Sequence, residues 1–182
     1  MKKLLFILLM CVMASLSIAQ VSEPEYVGQV LLLTSDSTTI LLDKEAWTTK
    51  SKSSHYGMIP IPGSSLLDKT KMLTIIKGNE SKVSVPAGQV RFIIKASDNN
   101  LDPTSILGIY KFEAKKKTRE RKTGEVSLLT GASLSVGGTD VQFKAVKYGK
   151  SSYLVEAVLE PGEYAIDIVG NNAMMSTFHT SE

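Results

Sequence analysis

The stretch QVRFIIKA, residues 89–96, decides the fold class of this chain. Apolar residues occupy every second position, and polar residues fill most of the positions between them. The apolar face consists of Val90, Phe92, Ile94 and Ala96. Because successive side chains of a β-strand point to opposite faces, this alternation predicts a strand with one face against a core.

The same alternation recurs along the chain in DVQFKAVK at 140–147, YLVEAVLE at 153–160 and YAIDIV at 164–169. Turn residues separate such segments: Pro86 and Gly88, Gly149, and Pro161 with Gly162. YVGQVLLLT, 26–34, is apolar on both faces near its end and indicates a central strand. Many short strands predict an all-β fold, an antiparallel β-sandwich, with a small closed β-barrel as the alternative.

LEPGEY, 159–164, resembles the tyrosine-corner stretch of fibronectin type III and related immunoglobulin-like domains. Leu159, Pro161, Gly162 and Tyr164 carry the resemblance, although the family has one more residue before the tyrosine. The resemblance implies a tyrosine hydroxyl that bonds a backbone group upstream and pins the loop between two sheets. The resemblance also implies the sheet architecture of that family, so the predicted sandwich is immunoglobulin-like. It does not imply a shared function.

Residues 1–19 have the pattern of a cleaved secretory signal peptide: basic MKK, a short apolar stretch, then Ser17 and Ala19 at the small-residue positions. A lipoprotein signal is disfavoured because Met10, which precedes Cys11, is not small. The sequence therefore predicts export to the periplasm or the extracellular space. Residues 20–25 read as a short flexible lead, and 26–182 as a single β domain without a transmembrane segment.

Removal of the signal changes the charge and the cysteine count. The chain has 21 basic and 18 acidic residues, and loss of Lys2 and Lys3 leaves 19 basic residues, a net charge of about +1. Cys11 is the only cysteine, so the mature chain has none. The basic pI of the whole chain therefore says little about partners.

One segment, KKKTRERK at 115–122, has six positive charges and one negative. It lies between two strand-like segments and predicts the tip of a hairpin formed by roughly 106–116 and 120–129, where lysines deter edge-to-edge aggregation. A cationic tip is also a candidate contact for an anionic glycan, lipopolysaccharide or an acidic protein. The candidate residues are Lys115, Lys116, Lys117, Arg119, Arg121 and Lys122. Nucleic acid is not expected, because aromatic residues for base stacking are not interleaved with the charges.

A second candidate binding segment is 46–65, which contains Trp47, His55 and Tyr56. These residues together could form a sugar or peptide platform. The favoured interpretation is that Trp47 is a core residue on a strand, because large aromatic residues usually bury.

Catalytic residues, metal ligands and cofactors are not expected. The two histidines, His55 and His179, show no convergence with a carboxylate, and His179 lies near the C-terminus, where fraying is expected. SDNNLDP, 97–103, resembles the start of a calcium loop, but Pro103 and Ile109 occupy positions that an EF-hand assigns to Gly and Glu. Asx turns are the ordinary account of that stretch.

The sequence therefore favours a non-enzymatic exported β-protein that acts as a binding or surface-assembly module. The alternative is a small periplasmic enzyme, such as a hydrolase, with residues scattered along the chain. Strands and turns are abundant in this sequence, whereas reactive groups are sparse.

Overall fold

A computed structural model describes residues 21–34, 38–54, 68–127, 131–134, 140–170 and 174–182. Within these ranges the chain forms thirteen strands and one short helix. The helix α1 is Pro103–Ile106, with Asp102 as its N-cap. The strands are β1 Val30–Leu33, β2 Thr39–Leu41, β3 Asp43–Ser54, β4 Lys69–Lys77, β5 Ser84–Pro86, β6 Gly88–Lys95, β7 Leu107–Ala114, β8 Thr118–Ser127, β9 Gly131–Leu134, β10 Phe143–Tyr148, β11 Ser152–Leu159, β12 Gly162–Ile168 and β13 Met174–Ser181.

The strands form two sheets. The first is antiparallel and five-stranded, in the order β10-β11-β6-β1-β2. In the second, the order β12-β7-β8-β4-β3-β13 closes on itself because β12 also pairs with β13. These six strands form a closed barrel, and β9 pairs with β8 while β5 runs parallel to β13. The all-β, antiparallel prediction is confirmed, and the closed barrel that the sequence leaves open as the alternative is present.

Strand β6 lies at the centre of the first sheet, between β1 and β11. Val90, Phe92 and Ile94 are buried, and Gln89 and Arg91 are exposed, as the alternation predicts. Their apolar face joins one core cluster with residues of β1, β11, β7, β12 and β13. The first sheet therefore packs against the wall of the barrel through this cluster.

A second, smaller cluster is formed by strands of the barrel. It consists of Ile76, Phe112, Ala165 and Met175, with Trp47 and Tyr110 packed against it. Trp47 is directly opposite Ile76 in the β3–β4 register. The interpretation of Trp47 as a core residue is therefore the one that agrees with its packing.

LEPGEY carries the chain from the first sheet into the barrel, because β11 ends at Leu159 and β12 begins at Gly162. The Tyr164 hydroxyl donates to the backbone carbonyl of Glu160 at 2.9 Å, and the Thr180 hydroxyl donates to the same carbonyl at 2.6 Å. Gly162 has φ of 155°, which L side chains rarely adopt. The connection between the sheets therefore carries a hydrogen bond from a tyrosine hydroxyl to an upstream backbone carbonyl, which is the kind of bond that the resemblance implies.

Two local expectations need correction. The apolar run at 26–34 forms a strand only over Val30–Leu33, and Leu31 and Leu33 are only half-buried, so one face of β1 is not fully covered. The lead at 20–25 contains an anchored residue. Glu23 accepts bonds from the Lys95 ammonium group at 2.8 Å and the Ser152 hydroxyl at 2.6 Å. The predicted signal peptide lies outside the described residues.

Within the part of the chain that the structure describes, no helix is long and apolar enough to cross a membrane.

Candidate functional site: the lysine groove of the barrel

The basic run at 115–122 forms the turn between β7 and β8 and the first half of β8. The Lys115 amide donates to the Thr118 carbonyl at 2.7 Å and closes the turn. The predicted hairpin is confirmed, but the run is not one solvated tip. Lys115, Lys116 and Lys117 are exposed, whereas the Arg119 side chain is 1% exposed and that of Arg121 13%. Alternation along β8 places these arginines on the opposite face from Glu120 and Lys122.

Arg119 lies inside the barrel and is fully engaged there. Its guanidinium donates to the Glu45 carboxylate at 2.5 Å and to the Ser81 hydroxyl at 2.5 Å. It also donates to the carbonyls of Gly78 at 3.2 Å and Lys77 at 3.0 Å. A planar fork of donors meets acceptors from several elements, so Arg119 fastens the β4–β5 connection to the barrel.

Glu163 completes this buried cluster and restricts Ser81. The Ser81 hydroxyl donates to Glu163 at 2.7 Å while it accepts from Arg119. His179 lies on β13 rather than on a frayed end, and its Nδ1 is 3.0 Å from the Ser81 carbonyl oxygen, not from the hydroxyl. The Ser81 hydroxyl therefore donates to a carboxylate that lies beside the Arg119 guanidinium.

Arg121 forms an ion pair with Asp140, which lies just before β10 in the chain. Strands β7 and β8 pair only at Glu113–Glu120 and Ala114–Arg119. Further along β8, Arg121 donates to both Asp140 carboxylate oxygens, at 2.6 and 3.0 Å. This bidentate pair bridges the place where the two strands separate.

The same carboxylate reaches β7. It accepts from the Lys111 amide at 3.3 Å, and the Arg121 guanidinium lies 4.2 Å from the centroid of the Tyr110 ring. Burial raises the pKa of the Tyr110 hydroxyl, and the nearby Asp167 raises it further. Asp140 is absent from the residues that the sequence singles out, since nothing local to it indicates an arginine partner.

The outer face of the barrel strands β3, β4 and β8 carries a groove of about 570 Å³, which we call the lysine groove. Lys52 is opposite Lys71 in the β3–β4 register, and Leu73 is opposite Lys122 in the β4–β8 register. The groove is lined by Lys52, Ser53, Ser54, Lys69, Lys71, Leu73, Glu113, Lys115, Glu120 and Lys122. Five lysines against two glutamates give this lining a net positive charge, and one of the lysines, Lys115, pairs with Glu113.

Some groove lysines have counter-charges, and two do not. Lys69 and Lys122 pair with Glu125 at 3.5 and 2.6 Å, and Lys122 lowers the pKa of that carboxyl. Lys52 and Lys71 face each other on adjacent strands, and on its other side Lys71 is opposite Glu125 of β8, although neither lysine forms an ion pair with a carboxylate among the described residues. Like charges directly opposite in a sheet are destabilising. An anion from outside the chain would relieve this repulsion.

The predicted binding residues are therefore divided among three places. Lys115 and Lys122 line the lysine groove, whereas Arg119 and Arg121 lie on the other face of β8, where Arg119 is buried and Arg121 lines a depression beside Asp140. Lys116 and Lys117 are exposed at the turn and do not line the groove.

Of the segment 46–65, the structure describes residues 46–54. Its first part, through Ser54, is strand β3, and Trp47 packs in the barrel. His55 and Tyr56 lie outside the described residues.

Sequence reasoning missed Lys52, Lys69 and Lys71. Lysines alternate in KSK at 50–52 and in KTK at 69–71, which is a signal for one solvated face on each segment. Only the β3–β4 register brings the two segments together.

A larger depression of about 830 Å³ lies beside the end of β11, and we call it the β11 cleft. Its lining combines apolar and polar residues from β6, β7, β10, β11, β12 and the segments that flank them. The lining residues are Gln89, Lys111, Asp140, Val141, Gln142, Phe143, Lys144, Glu156, Ala157, Val158, Glu160 and Tyr164. Lys111 donates to Glu160 at 2.9 Å, which lowers the pKa of the carboxyl and raises that of the lysine.

The aspartate carboxylates of the loop at 97–103 accept hydrogen bonds from nearby backbone amides. The Asp98 carboxylate accepts from the Asn100 amide at 2.8 Å, and Asp102 accepts from the Thr104 amide at 2.9 Å. These are the Asx turns that the sequence indicates. Among the described residues, no group of three or more His, Cys, Asp or Glu side chains is placed to hold a metal ion.

Comparison with known proteins adds no family. The chain matches no protein-family model, no curated protein and no solved structure. The class to which the fold and the site assign it is therefore an all-β protein with a closed six-stranded barrel and a cationic groove on its outer face.

Proposed function

We propose that the mature chain is an exported, non-enzymatic binding module whose lysine groove holds an anionic ligand. The observation that carries the proposal is the Lys52–Lys71 pair, two like charges placed opposite each other in the β3–β4 register, with Glu125 opposite Lys71 on the other neighbouring strand. Such an arrangement costs stability in the free protein. A ligand that supplies negative charge recovers that cost on binding.

The hydrogen-bond partners of Ser81 and His179 support the non-enzymatic part of the proposal. The Ser81 hydroxyl is occupied by Glu163 and Arg119. His179 Nδ1 lies 3.0 Å from the Ser81 carbonyl oxygen, and its Nε2 lies 3.5 Å from a Glu80 carboxylate oxygen. The groove offers lysines and hydroxyls, which suit ionic contact more than proton transfer near neutral pH.

We also make a proposal about the fold that goes beyond the observed strand pairing. We infer that the five-stranded sheet and the barrel wall facing it act as an immunoglobulin-like sandwich. The Tyr164 bond to the Glu160 carbonyl at the crossing between sheets supports this inference.

The ligand classes that suit the groove are an anionic glycan, a lipopolysaccharide head group and an acidic protein segment. No aromatic side chain is among the groove-lining residues, so base stacking lacks a platform there and nucleic acid is disfavoured. Individual surface ion pairs contribute only about 0.2–1 kcal/mol, so affinity has to come from several lysines together.

A charge-reversal pair tests the proposal. The variant Lys52→Glu/Lys71→Glu is compared with wild type for binding to polygalacturonate, a linear polyanion, by isothermal titration calorimetry at low salt. The matched control is Lys82→Glu/Lys150→Glu, which makes the same change in net charge at exposed positions outside the groove. We expect the groove variant to bind about tenfold more weakly or worse, and the control to stay within about threefold of wild type.

Salt dependence is the second arm of the test. Wild-type affinity should fall steeply between about 20 and 200 mM NaCl, because screening shortens the reach of exposed charges. Equal weakening of the two double variants would show that only net charge matters and would overturn the assignment of the groove. Binding that both variants retain would overturn it as well.

Export is supported by residues 1–19 and has its own test. N-terminal sequencing of the protein recovered from outside the cytoplasm should begin at Gln20.

A further inference from the structure

We infer that the lysine groove and the β11 cleft are two ends of one continuous binding track, and that the ligand is a linear acidic glycan. The inference rests on the proposed function, because it names the ligand class of the same groove. It adds a second contact region and a minimum ligand length.

The two depressions are joined by a third, of about 450 Å³, which is lined by residues of β7 and β8 and by Asp140. This middle depression shares Lys111 and Asp140 with the β11 cleft. It shares Glu113, Glu120 and Lys122 with the lysine groove. Shared lining residues at both ends make the three depressions neighbours along one path.

The path crosses the strands rather than following them. Its cationic end spans β3, β4, β8 and β7, which are adjacent in that order. Three strand spacings amount to about 15 Å, and the β11 cleft extends the path further. A compact anion would fill only one part of it, so the geometry favours an extended polymer.

The track changes in charge character from one end to the other. The lysine groove has an excess of ammonium groups, whereas the carboxylates of the cleft are balanced. Glu160 pairs with Lys111, and Asp140 pairs with Arg121. Glu156 is opposite Lys144 on one neighbouring strand and Arg91 on the other.

The balanced cleft offers hydrogen-bonding groups beside apolar surface. Gln89 and Gln142 each carry an amide with donors and an acceptor, and Val158, opposite Gln89 in the β6–β11 register, is a largely exposed apolar residue of the same lining. A few polar groups against an apolar surface suit a neutral, hydroxyl-rich unit. A polymer with both carboxylates and neutral hydroxyl faces matches both ends of the track.

An acidic peptide fits this path less well than a glycan. Extended peptides usually bind by pairing with an exposed strand edge. In the middle of the lysine groove, β4 pairs with β3 on one side and with β8 on the other, so there the ligand meets side chains. A lipid is also a poor fit, because Leu73 is the one apolar side chain among the groove-lining residues.

The test compares galacturonate oligomers of two lengths on variants of the cleft. The variant Gln89→Ala/Gln142→Ala removes two amides from the cleft and leaves every groove lysine in place. Its matched control is Gln29→Ala/Asn100→Ala, which removes two amides that line none of the three depressions. Each protein is titrated with a tetramer and a dodecamer of galacturonate.

For the wild-type chain we expect the dodecamer to bind about tenfold more tightly than the tetramer. Part of that gain is statistical, because a long chain offers more registers, and this part persists in every variant. The cleft variant should therefore bind the tetramer within about twofold of wild type and the dodecamer about fivefold more weakly. The control variant should match wild type with both oligomers.

Failure of this inference is distinguishable from failure of the proposed function. If the tetramer binds and depends on Lys52 and Lys71, but the cleft variant matches wild type with the dodecamer, the groove stands and the continuous track is overturned. If neither oligomer binds the wild-type chain, the glycan assignment is overturned. Tighter lysine-dependent binding to phosphatidylglycerol vesicles than to the dodecamer would overturn it in favour of an anionic membrane surface.

Discussion

The Arg119 guanidinium donates to the Glu45 carboxylate at 2.5 Å inside the barrel, although the two residues are 74 positions apart in the chain. Glu163 lies 3.6 Å from the same guanidinium. One buried cation between two carboxylates therefore joins β3, β8 and β12. The basic segment 115–122 therefore places one of its two arginines, Arg119, in the interior of the barrel.

Replacement of Arg119 should be among the most damaging single changes in this chain. We expect Arg119→Met to lower the free energy of unfolding by about 3–5 kcal/mol, because it leaves Glu45 and Glu163 without their cation. Urea denaturation followed by Trp47 fluorescence measures it. The control Lys117→Met, at the exposed turn, should stay within about 0.5 kcal/mol of wild type.

Neutralising the partners should restore much of that loss. In the triple variant Arg119→Met/Glu45→Gln/Glu163→Gln, no buried charge is left uncompensated. A triple variant no more stable than Arg119→Met would show that the loss comes from packing and not from unpaired carboxylates.

The Tyr164 hydroxyl should contribute modestly to stability through its bond to the Glu160 carbonyl. We expect Tyr164→Phe to cost about 0.5–1.5 kcal/mol, because the bond is lost while the ring remains stacked on Phe178. Tyr26→Phe, at an exposed position, is the comparison. Equal denaturation midpoints for the two variants would remove the hydroxyl from the account of the crossing.

Acid should release the anchor that Glu23 provides. The bond from Lys95, followed by those from Ser152 and the Lys150 amide, lowers the pKa of Glu23 from 4.5 to about 2. A lowered folded-state pKa stabilises the protein above the unfolded pKa, and this contribution is lost as the pH falls towards the folded pKa. The stability gap between wild type and Glu23→Gln should therefore be constant above pH 4.5 and shrink between pH 4.5 and about 2.

The matched variant for this titration is Glu25→Gln, in the same lead but exposed. Thermal unfolding at a series of pH values gives the comparison. A gap for Glu23→Gln that does not change with pH would contradict the anchor.

Replacement of Trp47 distinguishes its interpretation as a core residue from its interpretation as part of a binding platform. Because it packs against the Ile76 and Met175 cluster, Trp47→Ala should cost about 2–4 kcal/mol. Polygalacturonate affinity of the folded variant should be unchanged, since Trp47 lines none of the three depressions. A large loss of affinity without loss of stability would restore the platform.

The elements that the sequence predicts well are those with local causes. Alternation in 89–96 identifies β6, and the apolar segments around 115–122 locate the β7–β8 hairpin within a few residues. Gly149, with φ of 57°, lies at the turn between β10 and β11 because few other residues tolerate that conformation.

The elements that the sequence does not predict depend on the pairing register between strands that are distant in the chain. The barrel closes because β12 pairs with both β7 and β13, and no local pattern encodes that choice. Whether Arg119 or Glu120 points inward is likewise fixed by pairing with β4, since both faces of β8 carry charges. The lysine groove follows from the same pairing, which is why its β3 and β4 members were not apparent from the linear charge run.

Amide chemical-shift mapping tests the central claim most directly. The ¹⁵N-labelled mature chain is titrated with the galacturonate tetramer at low salt. We expect the largest shifts at Lys52, Lys71 and Lys122, on three adjacent strands of one barrel face. Shifts confined to Lys115, Lys116 and Lys117, or spread evenly over all exposed lysines, would contradict the assignment of the groove as the binding site.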